Sequence, residues 1–210
     1  GVGGGTALPG LVAERIDPRI VAGMAGRLGQ GSVLVTGTNG KTTTARLLRN
    51  MLEAAGLKPV ANRAGSNLMR GIAAALAESA QLTGGFAAPR TRLGVFEVDE
   101  ATLPEAAAAV QPRAVAFTNL FRDQLDRYGE VEHVASLWRE AVQALPESAT
   151  LVLNADDPSI ASLAQVAKGP VLFYGMEDTT WSAEGFEHAA DARWCSACGS
   201  ELSYAALFYG

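Results

Sequence analysis

Cysteine is nearly missing from this chain: there are two in 210 residues, at positions 195 and 198. Two thiols so close in sequence cannot frame a fold with disulfides, so a cytoplasmic setting is the simple expectation. Positive charge is also in short supply. Seventeen Lys and Arg against 22 Asp and Glu leave a formal net charge of −5, which argues against nucleic acid as the main partner. Long hydrophobic runs are lacking; none approaches the ~20 residues a membrane span needs. No stretch has the layout of a signal peptide, and no internal repeat or low-complexity tract is visible. What remains is 48% hydrophobic and 19% charged, the balance of a soluble globular protein with one large core, or one core and a small appendage. The chain begins without Met and stops at Gly210 directly after Leu207-Phe208-Tyr209, which reads as a piece of something longer.

An acidic chain that binds a polyphosphate must concentrate its positive charge locally, and one stretch does so. Val33-Leu34-Val35 reads as a short buried strand. Thr36-Gly37-Thr38-Asn39-Gly40 is a glycine loop, and Lys41-Thr42-Thr43-Thr44 opens a helix with an apolar stripe at Leu48, Met51, Leu52 and Ala55, ended by Gly56. Glycines let successive backbone N–H groups turn inward around phosphate oxygens, and the helix N-terminus adds its positive end. Lys41 is expected to reach the β- and γ-phosphates of ATP, and the Thr42 hydroxyl to ligate Mg²⁺. The usual loop pattern places its first glycine at position 35, where Val35 stands, so this loop is shorter or differently closed. An ordinary glycine turn before a helix is the alternative. Lys-Thr-Thr after the second glycine and a strand before the first favour a phosphate loop.

Strands and helices alternate along the rest of the chain. Strands are expected at Pro59–Asn62, Leu93–Val98, Ala114–Asn119, Leu151–Asn154 and Val171–Tyr174. Helices are expected at Leu68–Ser79, Pro104–Val110, from Val131 to Leu145, and from Asp157-Pro158 onward. Before the loop, Gly3–Gly10 reads as a flexible leader, and Asp17-Pro18 starts a helix with Ile20, Met24 and Leu28 on one face. The expected fold is α/β, a parallel sheet with helices on both faces. Residues 1–30 form the leader and first helix, residues 31–178 an ATP-binding domain, and residues 179–210 the start of a small β-rich, zinc-ribbon-like appendage.

In such sheets ligands sit beyond the carboxyl ends of the strands. There, Glu97 lies inside the apolar strand Val95-Phe96-Glu97-Val98. A carboxylate so placed costs several kcal/mol unless paired or bound to a cation; beside a phosphate loop the obvious cation is Mg²⁺, the alternative being that Glu97 closes the strand and faces water. Asp99 and Glu100 are expected to cap the next helix. Asn119 and Gln124 could orient a phosphate or a metal-bound water, and Arg122 and Arg127 could contact anionic substrate groups. Asn154-Ala155-Asp156-Asp157-Pro158 reads entirely as a helix start. Finally, Cys195-Ser196-Ala197-Cys198-Gly199 is half of a zinc knuckle. The partners of Cys195 and Cys198 are expected past Gly210, and His188 reads as a surface histidine.

Taken together, these residues resemble the central ATP-binding domain of the Mur ligase family. The matching motifs are Thr36-Gly37-Thr38-Asn39-Gly40-Lys41-Thr42-Thr43, Gly65-Ser66-Asn67, Glu97, Thr118-Asn119 with Asp123-Gln124-Leu125-Asp126, and Asn154-Ala155-Asp156-Asp157. Within that family, the chain resembles the ligase-like subunits that amidate lipid II. The marks are Gly4–Gly10 running into Asp17-Pro18, Glu97-Val98-Asp99-Glu100-Ala101, Arg122–Glu130 and the late cysteine pair. The resemblance implies that ATP and Mg²⁺ activate the α-carboxylate of D-glutamate in the lipid II stem peptide as an acyl phosphate. A glutamine amidotransferase partner would then supply ammonia, at the inner face of the membrane. It implies Gly37, Thr38, Asn39, Gly40, Lys41, Thr42, Thr43, Asn67 and Asn119 as nucleotide contacts, Lys41 and Glu97 as catalytic, Thr42 and Glu97 as Mg²⁺ ligands, and Cys195 and Cys198 as ligands of structural Zn²⁺. Gln124 stands where many members carry a metal-binding histidine. The family's C-terminal ligase domain has no counterpart in these residues. The competing expectations are another ligase of the superfamily, such as a folylpolyglutamate synthase, and a non-catalytic nucleotide-binding or zinc-ribbon interaction module.

Overall fold

A computed structural model of the chain describes residues 8–17, 19–81, 84–121, 130–178, 180, 195, 198–203 and 206. Six strands form one sheet: β1 (Ser32–Thr36), β2 (Lys58–Ala61), β3 (Arg92–Glu97), β4 (Ala114–Phe117), β5 (Thr150–Asn154) and β6 (Val171–Tyr174). All neighbours are parallel, in the order β2-β3-β1-β4-β5-β6. The helices are α1 (Leu8–Ile16), α2 (Ile20–Ala25), α3 (Lys41–Ala54), α4 (Met69–Ser79), α5 (Leu103–Val110), α6 (Glu130–Ala144) and α7 (Pro158–Ala161). Among the described residues no helix is long and apolar enough to cross a membrane.

The direction of chain travel decides which face each helix covers. A crossover between parallel strands is right-handed, so reversing its direction along the sheet moves its helix to the other face. The step from β1 to β2 runs one way, and every later step runs the other. Accordingly α3 packs against β1, β2 and β3, while α1, α4, α2, α5 and α6 touch in a continuous second layer. The register sorts the strand residues to match. Leu34, Phe96, Val115, Phe117, Leu151 and Leu153 share the face of the main core, joined there by Ile72, Leu76, Trp138 and Ile160. Val35 and Val95 lie on the α3 face, both fully buried.

Three expectations need correction here. Leu8–Gly10 is helical, not a flexible leader: α1 packs on α4 so closely that a Cβ on Gly10 would overlap the Arg70 carbonyl. The apolar stripe of α3 is half right. Leu48 and Leu52 are half-buried, but Met51 is 67% exposed and Leu47 54%, and no residue of the helix is fully buried. A helix packed chiefly on the sheet needs only a narrow apolar strip. Third, β4 ends at Phe117; Thr118 and Asn119 leave the sheet to hold the phosphate loop. The appendage expected over 179–210 lies mostly outside the described residues.

Candidate nucleotide site

The loop between β1 and α3 stands where the sheet's connections diverge. From β1 the chain turns to α3 on one face, and from both its neighbours, β3 and β4, it turns to the other. Such a point opens a crevice at the carboxyl ends. Gly37 and Gly40 both have positive φ, 137° and 81°. Space around them differs: a Cβ at Gly37 would overlap Thr118 Oγ1 and stand 2.9 Å from Asn119 N, whereas Gly40 has nothing within 4 Å.

Thr118, Asn119 and Phe121 brace the loop from the β4 side. Asn39 N–H donates to Asn119 Oδ1 at 2.8 Å, and Asn119 Nδ2 donates back to Asn39 O at 3.1 Å. Thr118 Oγ1 donates to the same Asn39 carbonyl at 2.7 Å, and Thr38 N donates to Asn119 O at 2.8 Å. Thr38 Oγ1 accepts from Phe121 N at 3.1 Å. The Asn119 amide is thus committed to shaping the loop. Gln124, Arg122 and Arg127, with the rest of 122–129, lie outside the described residues.

On the β3 side stands Glu97, 6% exposed, its two carboxylate oxygens 2.9 and 2.8 Å from the Thr42 hydroxyl, which donates to it. The expected pair of hydroxyl and carboxylate is therefore brought together across 55 residues. Asn62, one residue beyond β2, fixes this carboxylate's backbone. Its Oδ1 accepts from Glu97 N at 2.9 Å, and its Nδ2 donates to Glu97 O at 2.8 Å and to Ser66 O at 2.7 Å. Sequence reading gave Asn62 no role; a polar residue closing the strand beside β3 was the signal. Asn67 joins by its backbone, its carbonyl accepting from Asp99 N at 2.9 Å.

Lys41 is not the solvent-facing side chain that a free phosphate-loop lysine would be. Its side chain is 11% exposed, and Nζ donates to the Gly37 carbonyl, to Thr38 O at 3.2 Å and to Glu100 Oε1 at 3.3 Å. Asp99 caps the turn Glu100–Thr102 as expected, accepting from Ala101 N at 3.3 Å, but Glu100 is Lys41's ion-pair partner rather than a cap.

The exits of β4, β5 and β6 are tied together. Asp157 caps α7 through Ser159 N and Ile160 N, and also accepts from Leu120 N at 2.7 Å. Asn154 Nδ2 donates to Thr118 O at 2.9 Å, and Asp156 accepts from Met176 N at 2.7 Å. The Asn154–Asp157 stretch is therefore more than a helix start. Tyr174 OH reaches the carbonyls of Phe117 and Thr118 at 2.9 and 3.1 Å. Burial, and then the charges of Asp157 and Asp156, push its phenol above the ordinary value.

Far along the chain, Gly199 N donates to Cys195 O and Cys195 N to Ser200 O, both at 2.8 Å. Hydrogen bonding to Ser200, and secondarily to Cys195, holds the Cys198 thiol below its ordinary range. Among the described residues no group of three or more His, Cys, Asp and Glu is gathered to hold a metal.

A six-stranded parallel sheet with a G-x-x-G-K-T loop at its centre, a buried glutamate opposite the loop threonine and an asparagine brace defines a class. The chain belongs to the Mur ligase family, its residues 35–198 matching the Mur ligase middle domain. It is 34% identical over 207 residues to the lipid II isoglutaminyl synthase (glutamine-hydrolysing) subunit MurT of Staphylococcus aureus, covering 98% of this chain and 44% of that protein. It is 31% identical to the MurT subunit of Streptococcus pneumoniae, with 97% and 43% covered. In fold it resembles the MurF ligase of Thermotoga maritima, solved in complex with ADP, at a TM-score of 0.62 and 21% identity, over 77% of this chain and 37% of that one. The chain thus spans less than half the length of the curated relatives it matches.

Proposed function

We propose that this chain is the ATP-binding part of a MurT-type subunit of lipid II isoglutaminyl synthase, a cytoplasmic amide ligase of peptidoglycan synthesis. In this reading it helps activate the α-carboxylate of D-glutamate in the lipid II stem peptide as an acyl phosphate. A glutamine amidotransferase subunit supplies the ammonia, at the inner face of the membrane. The observation that carries the nucleotide part is the Thr42–Glu97 pair beside the phosphate loop. The likeness to the MurT subunits supports the substrate.

A buried carboxylate and a hydroxyl within hydrogen-bond reach, next to a lysine, are a donor set that fits Mg²⁺: hard oxygen ligands, with the remainder left to phosphate and water. Thr42 and Glu97 would hold the ion, which when bound neutralises charge on the β- and γ-phosphates. The N–H groups of Gly40 and of the first turn of α3 bind phosphate oxygens, those of Thr38 and Asn39 being held by Asn119, and Lys41 offsets the charge developing on the transferred group. Asn62, Asn119 and Thr118 keep these groups in place. Cys195 and Cys198 form one half of a structural zinc site in the same proposal.

Calorimetric titration of ATP into the 210-residue chain tests this reading. Wild type is expected to bind in a Mg²⁺-dependent manner. Lys41→Ala should weaken binding at least about tenfold, the worth of one charged hydrogen bond, and Glu97→Gln should remove the Mg²⁺ dependence. In the apo state Glu97→Gln is expected to melt no lower than wild type, because Gln keeps an acceptor for Thr42 and removes a buried charge. Full ATP affinity in Lys41→Ala would overturn the assignment.

A further inference from the structure

The lysine of this phosphate loop has no free donor. An ammonium has three N–H groups, and Lys41 has three acceptors: the Gly37 and Thr38 carbonyls, which belong to the loop itself, and Glu100 Oε1 at 3.3 Å. Two of the three are neutral and local. The third is a carboxylate delivered from 59 residues away, and it stands where charge on a bound phosphate would also want to be.

Glu100's backbone is firmly held. Trp138 Nε1, on a side chain 1% exposed and packed edge-on to Phe117 with ring centroids 5.2 Å apart, donates to Glu100 O at 3.0 Å. Just before it, Asp99 is pinned by its N–H to Asn67 O at 2.9 Å, and its carbonyl accepts from Thr102 N at 3.0 Å. The backbone at position 100 is therefore fixed at both ends of the turn, and the carboxylate can leave Lys41 by rotating its own side chain. With a side chain 20% exposed, it has solvent to rotate into.

We propose that Glu100 is the resting counterion of Lys41, a built-in competitor that the terminal phosphate of a nucleotide must displace. The pair neutralises Lys41 when the loop is empty and keeps its ammonium next to the loop carbonyls. On binding, the phosphate takes over the ammonium and Glu100 turns outward. Competition of this kind lowers affinity for any ligand that presents negative charge to Lys41 and leaves the rest of the recognition untouched. It also sets the two carboxylates, Glu97 and Glu100, against metal-free ATP, so that the magnesium complex is the form admitted. This inference rests on the nucleotide-binding reading.

The sign of one substitution separates a competitor from a structural contact, because losing a structural contact can only weaken binding. Glu100→Gln keeps the shape and removes the charge. Calorimetric titration of the β,γ-imido analogue of ATP is expected to give a dissociation constant about five- to tenfold lower in Glu100→Gln than in wild type with Mg²⁺ present. The gain should be larger still without it. Adenosine, which carries no phosphate, should bind both proteins equally. Glu105→Gln, which removes the same unit of charge from an exposed position on α5, should leave all affinities as they are. An unchanged or weaker affinity in Glu100→Gln overturns the proposal, and a loss confined to the Mg²⁺ titration would make Glu100 part of the metal's surroundings instead. An equal gain in Glu105→Gln would reduce the effect to net charge and overturn it too. Failure of the wild-type chain to bind the analogue at all would count against the nucleotide reading itself, not against the pairing.

Discussion

At the scale of single residues the phosphate loop separates two uses of glycine. Gly37 needs its missing side chain twice over, for a φ of 137° and for the Thr118 hydroxyl that occupies the space of a Cβ. Gly40 needs it once, for a φ of 81° with open space around it. Gly37→Ala is therefore expected to cost about 3 kcal/mol or more and to disrupt nucleotide binding, since Thr118 and Asn119 must retreat from Asn39. Gly40→Ala should cost about 1–2 kcal/mol. Urea unfolding of the two variants, alongside an ATP titration, checks this; equal losses would mean that the close approach of β4 contributes nothing. That Thr42 and Glu97 meet was legible from residue type, because a carboxylate in an apolar strand has few bland explanations. Asn62 and Glu100 were not. An asparagine after a strand and a glutamate before a helix are both ordinary, and what makes them matter is a partner 35 or 59 residues away.

At the scale of elements, strand positions could be read to within a residue or two because buried parallel strands are short, β-branched and closed by polar residues. The less legible element was α3, whose outer side carries Leu47 and Met51 in solvent. Hydrophobic periodicity marks a helix well but does not say how many layers will cover it. The edge strand β6 illustrates another limit. Its sequence, Val-Leu-Phe-Tyr, suggests a core strand, yet Leu172, Phe173 and Tyr174 are 58%, 55% and 45% exposed. Its ladder with β5 places it, and the Tyr174 hydroxyl, bound to the Phe117 and Thr118 carbonyls, ties its end to the β4 exit. This contact is pH-sensitive. Because the phenol is pushed above its ordinary 10.0, the folded state keeps a proton that the unfolded chain releases. Its contribution is complete below that pH and is lost as pH rises through the elevated folded value. Tyr174→Phe should therefore flatten the fall of stability above about pH 10, measured as unfolding free energy against pH. An identical slope in both proteins would assign the alkaline loss to other groups.

At the scale of the molecule, the proposed zinc half-site at Cys195 and Cys198 can be tested directly. Two thiolates cannot complete a tetrahedral zinc site, so the 210-residue chain is expected to hold zinc below stoichiometry. A longer polypeptide carrying the region by which the MurT subunits exceed it should retain one zinc per chain, lost on Cys195→Ser. Metal analysis of both proteins checks this, and a longer protein purified without chelator and free of zinc would end the idea. The sequence by itself determined the α/β alternation and the glycine loop running into the Lys41-Thr42 helix start, since these depend on period, residue type and short-range spacing. Tertiary structure alone decided which face each helix takes, that Leu8–Gly10 is helical and docked on α4, and that Asn119 shapes the loop. It also decided that Lys41 rests against Glu100. The right-handed crossover rule sets the faces, the packing of α1 on α4 holds Leu8–Gly10, and the strand order puts the exits of β3 and β4 on either side of the β1 loop; neither propensity nor periodicity carries information about separations of that length.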